Sequence, residues 1–284
     1  MPVLLPKKRH SANVKPLSNR GVDHADWRAR CLTFIMGSDE FDPITGNEPT
    51  LSADVEHDGN KGFNFVSRTT DPATGLHYGN GYDYIDGGQT VTIVARAEDW
   101  SATDGAQQII GLIGKTRAAG LDGRYGIYIF QGNIEAFYDY GAGATLISVA
   151  HSGVLENNST HIFTHTSANK GSGNDSLWVD GVKIGSLASA NQSVGVLSTE
   201  NLKIGSYDAR SGNAYKGRLL GSADLATIHE GRMSDAEIEE YHSDIYAVLK
   251  QRRQYWAMPE AAVGGTFQPA WAIAAKRSNI IGAG

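Results

Sequence analysis

Alternation of apolar and polar residues marks a series of strands in the middle of the chain. The clearest is Gly88–Glu98, in which one set of side chains, Val91, Ile93 and Ala95, is expected to point inward, and the other, Thr92, Val94 and Arg96, outward. Further segments rich in β-forming residues follow, separated by turn residues: Ala106–Lys115, Arg124–Gly132, Asn133–Gly141, Ala144–Gly153 and Ser159–Ala168. Many short strands joined by turns predict an all-β antiparallel sandwich.

The segment Ser176–Ser186, SLWVDGVKIGS, predicts a hairpin. Its centre, Asp180–Gly181, suits a type I′ turn, which requires positive φ at both central residues. The later segment from Ser234 predicts the one helix, which runs towards Lys250. Ser234 and Glu237 have the spacing of a capping box, and the apolar residues on one face recur at helical spacing: Ile238, Tyr241, Ile245, Val248 and Leu249. We expect this helix to lie across the edge of the sandwich.

From the hairpin to the helix, short motifs follow one another in the order of a known family. They are Trp178–Val179–Asp180–Gly181, Ile204–Gly205, Tyr215, Lys216–Gly217, Asp224–Leu225, Met233–Ser234 and Glu237–Ile238. In this order they resemble the second half of a laminin-G-like domain, and the resemblance extends from Gln89 to Lys250. It implies a concanavalin A-like antiparallel β-sandwich jelly roll with one C-terminal helix and extended arms. That fold mostly serves binding or assembly and has no catalytic apparatus of its own.

The flanking segments narrow this resemblance. The basic arm PKKRH, the segment Gly21–Trp27, the motif Phe41–Gly46 and the basic, aromatic tail after the helix are similar to those of laminin-G-like proteins of tailed bacteriophages and prophages. This implies a non-enzymatic virion structural protein, a capsid decoration or tail-associated protein, synthesised in the bacterial cytoplasm. Its implied partners are other virion proteins, major capsid or tail proteins, and further copies of itself.

Charge and proline content divide the chain into three parts. Residues 1–36 are predicted to be an extended basic arm, residues 37–250 the sandwich, and residues 251–284 a basic-aromatic tail. Residues 1–30 carry seven basic and two acidic side chains, net +5, and residues 250–284 carry five and one, net +4. The other 13 basic and 28 acidic side chains give residues 31–249 a net charge of −15. Basic ends on an acidic body predict docking onto acidic protein surfaces, including copies of the same chain.

The predicted assembly contacts are therefore the basic and aromatic residues of the two ends: Lys7, Lys8, Arg9, Trp27, Arg252, Arg253, Tyr255, Trp256 and Trp271. Nucleic acid is not an expected partner, because the basic runs are short and lack interleaved aromatic residues. A membrane is not expected either, since no apolar run approaches the ~20 residues that span a bilayer. The N-terminus lacks a secretory signal pattern, and the single cysteine, Cys31, is expected to be a small buried residue.

The search for catalytic and metal-binding patterns gives mostly negative results. A glycan-cleaving enzyme is disfavoured because no strand carries the E-x-D-x-x-E pattern of retaining glycosidases on jelly rolls, in which alternating carboxylates place acid and nucleophile on one face. His161 and His165 would face the same side of a strand, without an evident third metal ligand. Calcium is compatible with acidic and amide side chains in predicted loops, namely Asp122, Asp139, Asn174, Asp175, Asp208 and Asn213. They lack the spacing of a known calcium loop, so we predict no cofactor.

Carbohydrate binding is the alternative function, as a lectin-like adhesin for host-surface or environmental glycans. The candidate residues are Trp100, Tyr138, Tyr140, Tyr207 and Tyr215. An aromatic ring can stack on a sugar ring while neighbouring polar groups bind its hydroxyls. Each of these residues also fits an ordinary packing role in a sandwich.

Overall fold

We describe the fold from a computed structural model. It describes residues 26–29, 31–37, 42–58, 62–66, 75–82, 88–101, 109–115, 124–139, 144–168, 173–188, 200–207 and 217–249. By its contacts the chain divides into two units, Met1–Gln251 and Arg252–Gly284, of which the second lies outside the described residues. The predicted arm contacts in the tail, and Lys7, Lys8 and Arg9, also lie outside them.

The first unit is built almost entirely of strands, as the alternation predicts. In chain order they are β1 (Leu32–Met36), β2 (Thr50–Leu51), β3 (Val55–Asp58), β4 (Gly62–Phe65), β5 (Leu76–Tyr78), β6 (Gln89–Ala97), β7 (Ile109–Lys115), β8 (Arg124–Phe130), β9 (Asn133–Asp139), β10 (Ala144–Ala150), β11 (Thr160–Ser167), β12 (Asn174–Val179), β13 (Val182–Ala188), β14 (Leu202–Ile204), β15 (Ser206–Tyr207), β16 (Gly217–Arg218) and β17 (Gly221–Glu230). Helix α1 spans Asp235–Ser243, and short 3₁₀ helices span Trp27–Ala29 and Ile245–Val248.

Two antiparallel sheets form the sandwich. One has the strand order β13-β12-β11-β6-β17-β4-β3, with β1 also paired to β17, and the other the order β10-β9-β8-β7-β14-β5-β2. Between them lies the main core, which contains Phe34, Ile93, Phe163 and Tyr138. The predicted antiparallel sandwich is thus confirmed.

Strand β1 corrects the predicted boundary of the N-terminal arm. Leu32–Met36 pairs with β17, and Phe34 and Met36 are fully buried in the main core. The sandwich therefore already includes residues that the proline pattern assigns to the arm, because that pattern ends at Pro16 and the apolar run begins at Leu32. Cys31 precedes this strand and is exposed, with φ of 57°, so the expectation of a buried cysteine is wrong.

The hairpin β12–β13 has the predicted turn. Asp180 and Gly181 have φ of 51° and 82°, as a type I′ turn requires. The Asp180 carboxylate also accepts a hydrogen bond from the backbone N–H of Ile162, at 2.8 Å. The turn is therefore attached to the neighbouring strand β11 as well as closing its own hairpin.

Helix α1 also begins as predicted, but it lies elsewhere than expected. Ser234 caps it, and both hydrogen bonds of the capping box with Glu237 are present. The helix covers the outer face of the larger sheet, because Ile238 and Tyr241 pack in a second core with Ile35, Val94 and other residues of that face. A location at the sandwich edge was therefore wrong.

Because helix α1 covers this sheet, the outer face of β6 is buried. Thr92 and Val94 are fully buried, although alternation predicts them to face solvent. Thr92 is satisfied by Thr164, its register partner on β11, with 2.8 Å between their hydroxyl oxygens. A short-range pattern places residues on one side of a sheet, but it does not reveal that a later segment covers that side.

Two motifs that carry the family resemblance have structural explanations. Asp42, of the segment Phe41–Gly46, is fully buried, and its carboxylate accepts from the backbone N–H groups of Ile35, Ile44 and Thr45. At Gly205, which has φ of 72°, an added Cβ would lie 2.2 Å from the Phe65 ring. Only glycine allows this close approach of backbone and ring.

Candidate functional site

A pocket opens where the start of β1, the end of β17 and the start of α1 meet. Its volume is about 230 Å³. It is lined by Trp27, Cys31, His229, Glu230, Gly231, Arg232, Met233 and Glu237. An indole, a thiol, an imidazole, a guanidinium and two carboxylates therefore surround one small space.

Local hydrogen bonds fix the loop that forms one side of the pocket. The N–H of Gly231 donates to the carbonyl of Gly88 over 2.8 Å. The Thr90 hydroxyl donates to the Gly231 carbonyl over 3.1 Å and accepts from the N–H of Met233 over 3.0 Å. The capping box follows directly at Ser234. The backbone of this loop is therefore held between β6 and α1.

Trp27 also lines the pocket. Its indole Nε1 donates to Oε1 of Glu240 on α1, over 3.1 Å. The Arg28 guanidinium carbon lies 5.0 Å from the centre of the indole ring. Arg28 is in turn paired with Asp26 at 3.0 Å, so its charge is compensated locally. The indole is thus held by neighbouring residues of the chain, and its predicted role as an assembly contact stays a prediction.

His229 is the buried polar residue of the pocket. It is 2 % exposed, and its Nε2 lies 2.7 Å from the carbonyl oxygen of Arg28. Because a carbonyl only accepts, Nε2 carries the proton and Nδ1 is an acceptor. Nδ1 has no hydrogen-bond partner among the described residues. Burial lowers the pKa of His229 from 6.5 to about 4, against the opposing effect of the Arg28 carbonyl, so the ring is neutral at pH 7.

His229 is not among the site residues predicted from the sequence. The available signal was its position on β17, at the end of the alternating set that also contains Leu225 and Thr227. Thr227 bonds the hydroxyl of Tyr241 on α1, at 2.8 Å. A histidine in that set therefore faces the helix side of the sheet. Recognising this needs the tertiary position of α1, which the pattern placed at the sandwich edge.

The structure corrects two of the predicted sugar-stacking residues. Trp100 is 1 % exposed and packs beside Phe163, with ring centres 5.4 Å apart. Tyr138 is fully buried in the main core. Neither ring has a face open to a sugar, since both fill the space between the sheets. Tyr140, Tyr215 and the side chain of Tyr207 lie outside the described residues.

The two histidines of β11 do not form the start of a metal site. Nδ1 of His161 lies 2.6 Å from the Asp180 carboxylate, and its Nε2 accepts from the N–H of Glu156 at 3.1 Å. Both of its nitrogens are thus engaged within the protein. Burial lowers the pKa of His165 to about 4, with Asp175 opposing the shift. No group of three or more metal-ligating side chains occurs in the described part of the chain.

The residues considered for calcium are distributed differently from the prediction. Asn174 and Asp175 lie in strand β12 instead of a loop, and Asp175 is fully buried, with its carboxylate accepting from the N–H of Ala168 at 2.8 Å. Asp139 ends strand β9. Asp122, Asp208 and Asn213 lie outside the described residues.

None of the described helices is long and apolar enough to cross a bilayer.

The fold is identified by likeness to solved structures, whereas the comparisons of sequence find no match. No protein-family model matches the chain, and no curated protein matches it. The receptor binding domain of botulinum neurotoxin D matches with a TM-score of 0.54 and 12% identity, over 75% of this chain and 52% of that one. The binding domain of Paraclostridial Mosquitocidal Protein 1 matches with a TM-score of 0.56 and 15% identity, over 76% and 52%.

The structure of an enzyme also resembles this chain. Trypanosoma rangeli sialidase, in complex with a difluorinated nononic acid, matches with a TM-score of 0.53 and 15% identity, over 77% of this chain and 33% of that one. The chain thus spans about half the length of the two toxin domains and a third of the sialidase. The likenesses establish the fold: this chain is a concanavalin A-like antiparallel sandwich of two β-sheets, with one short C-terminal helix.

Proposed function

We propose that this chain is a non-enzymatic glycan-binding protein and that the pocket at Trp27 and His229 holds the sugar. The observation that carries the proposal is the pocket itself, which is lined by an aromatic residue and by residues whose side chains are hydrogen-bond donors and acceptors. Carbohydrate sites pair an apolar ring surface with a few placed polar groups. The fold likeness to toxin receptor-binding domains supports a recognition role.

Binding is favoured over hydrolysis by the state of the two pocket carboxylates. Glu237 is committed to the capping box, because its Oε2 accepts from both the backbone N–H and the hydroxyl of Ser234, each at 2.8 Å. Glu230 is exposed. A glycosidase needs one carboxyl group kept protonated by its surroundings and a second carboxylate free to act. We therefore propose recognition without bond cleavage.

Replacing Trp27 by alanine is expected to weaken glycan binding at least tenfold, because it removes the aromatic surface of the pocket. A glycan array of the wild type would first identify ligands, and titration calorimetry would then compare Trp27→Ala with the wild type. Val182→Ala is a matched control, since Val182 is 63% exposed and does not line the pocket. Equal affinities for Trp27→Ala and the wild type would refute the assignment of the pocket, and release of free sugar would refute the non-enzymatic part.

A second proposal, a virion structural role, is favoured by the charge distribution. The ends carry +5 and +4 against −15 in the body, and the tail contains apolar residues such as Trp256 and Trp271. Ends of this composition suit attachment to acidic protein surfaces. A particle-bound adhesin would combine both roles, with the ends attached to capsid or tail proteins and the pocket facing glycans.

Deleting residues 1–25 together with everything after Lys250 is expected to abolish incorporation into particles and leave the sandwich folded. The ends provide the docking charge, whereas residues 26–36 belong to the domain and are retained. Mass spectrometry of purified capsids and tails measures incorporation, and circular dichroism checks the fold. Particles that still contain the doubly truncated chain would rule out attachment through the ends.

A further inference from the structure

The outermost strands of the two large sheets differ in how they are protected against further pairing. A free strand edge presents backbone N–H and C=O groups to which another strand can add, and short length, charge, a bulge or a covering loop prevents this. Strand β2 has only two residues, and β3 is short and carries Glu56 and Asp58. Strand β13 carries Lys183 and a register shift against β12. In β1, the N–H of Ile35 already donates to the Asp42 carboxylate.

Strand β10 is a long, regular and uncharged edge. It ends the second sheet, and its seven residues pair one to one with β9 without a register shift. Its sequence, ATLISVA, contains no charged residue and no proline. Leu146 is 38% exposed, and Ser148 is also exposed. In the part of the chain that the structure describes, β10 pairs with no strand other than β9, so its second side is open.

The ladder with β9 shows which backbone groups of β10 face the open side. The N–H of His151, the residue after β10, donates to the carbonyl of Gly132 at 2.9 Å. Hydrogen-bonded positions recur at every second residue of an antiparallel ladder, so Ile147 bonds β9. The N–H and C=O groups of Leu146 and Ser148 therefore point to the open side, where they can bond a further strand.

The exposed residues of β10 make this edge complementary to itself. Antiparallel pairing of two copies about a twofold axis at Ile147 overlaps the whole strand and places Leu146 of each copy opposite Ser148 of the other. A large side chain then packs beside a small one at both positions, on the face opposite to Ile147, which belongs to the main core. The Glu135 carboxylate of β9 already accepts from the Ser148 hydroxyl at 2.9 Å. The paired strands thus bring no like charges opposite each other.

From these observations we infer that two copies of this chain associate through β10, whose open edges pair antiparallel and join the two seven-stranded sheets into one. The partner is a second copy because Leu146 and Ser148 lie at equal distances along the strand from Ile147, and pairing of β10 with itself uses that symmetry. The inference goes beyond glycan binding and does not rest on it. It is also independent of the basic ends, since the contact lies within the sandwich.

The test measures the oligomeric state of the full chain and the exchange of single backbone amides. Sedimentation over a dilution series is expected to show a dimer, with twice the chain mass of 30.4 kDa, that dissociates on dilution. Hydrogen exchange followed by NMR should show the N–H groups of Leu146 and Ser148 protected in the dimer and exchanging about tenfold faster or more in the monomer. The N–H of Ile147 should stay protected at all concentrations, because it bonds β9.

One substitution on each of two edge strands tests the location of the contact. Ser148→Lys is expected to raise the dissociation constant of the dimer about tenfold or more, because a lysine on an edge strand opposes pairing. Ser186→Lys is the matched control, since Ser186 is an exposed serine of the edge strand β13 whose hydroxyl also makes one hydrogen bond, to the carbonyl of Asp175 at 3.1 Å. The control should leave the dissociation constant within about twofold of the wild type. Circular dichroism checks that both variants fold.

A chain that sediments as a monomer at every concentration would overturn the inference, including one whose β10 pairs only with a different protein. So would a dimer in which the amides of Leu146 and Ser148 exchange as fast as in the monomer, because the contact would then lie elsewhere. Equal weakening of the dimer by both lysine substitutions would likewise contradict pairing through β10. If Ser148→Lys does not fold, the concentration dependence of amide exchange in the wild type decides the matter.

Discussion

Replacing Asp42 by alanine is expected to lower the free energy of unfolding by about 3 kcal/mol or more. The Asp42 carboxylate is fully buried and accepts hydrogen bonds from backbone N–H groups and from the hydroxyls of Thr45, at 2.6 Å, and Tyr82, at 3.0 Å. Burial raises the pKa of the Tyr82 hydroxyl, so it stays protonated and able to donate. Alanine would leave the buried N–H of Ile35 without its acceptor. The melting temperature should fall by roughly 6–12 °C.

Asp99→Ala is the matched control for this change. The Asp99 carboxylate accepts from the N–H of Ser101 at 2.9 Å and from its hydroxyl at 2.7 Å, but in an exposed loop. Water can replace such bonds, so the control should change stability by less than about 1 kcal/mol. If both variants melt within 2 °C of the wild type (an interval well under the shift estimated above), Asp42 does not anchor its loop to β1.

Acidification from pH 6.5 to pH 4 is expected to unfold the protein. Burial lowers the pKa of His165, His229 and His242 from 6.5 to about 4 in each case. Between these values the unfolded chain binds protons that the folded chain excludes, so stability is present above pH 6.5 and falls as the pH drops towards 4. Each histidine contributes about 3 kcal/mol over this range, and a domain has only roughly 5–15 kcal/mol in total.

The geometry around His242 shows why it must be neutral. The N–H of Gly181 donates to its Nδ1 at 2.7 Å, so Nδ1 needs its lone pair, and Nε2 bonds Thr164 at 2.7 Å. A proton on Nδ1 of His242 would point at the N–H of Gly181. The hydrogen bond that attaches the hairpin turn to α1 would then be lost. Urea titrations at several pH values should show stability changing by about 4 kcal/mol per pH unit near pH 5, for three protons. A stability that is constant from pH 7 to pH 5 would show that these imidazoles are not buried in neutral form.

The features that the sequence predicted correctly are those fixed by neighbouring residues. The turn at Asp180–Gly181 depends on two dihedral angles, and the capping box on two side chains three residues apart. Both are confirmed because no distant contact is needed to form them. The strands before Gln89 were not predicted individually, since each has only two to five residues. So short a run carries little alternation.

Which residues are buried and which form the pocket depends on contacts between residues far apart in the sequence. These features were not predicted correctly. Trp100 and Tyr138 have the composition of sugar platforms, yet they fill the core. The pocket brings Cys31 together with His229, which the pairing of β1 with β17 places nearby although they are far apart in the chain. Neither residue lies in a recognisable motif. Only the register of two strands and the position of α1 create this site.

The most direct test of the account is a crystal structure of the chain with its strongest ligand from a glycan array. We expect the sugar to lie in the pocket, in contact with Trp27. A glycan bound on any other surface, with this pocket unoccupied, would contradict the central claim that the meeting point of β1, β17 and α1 is the recognition site.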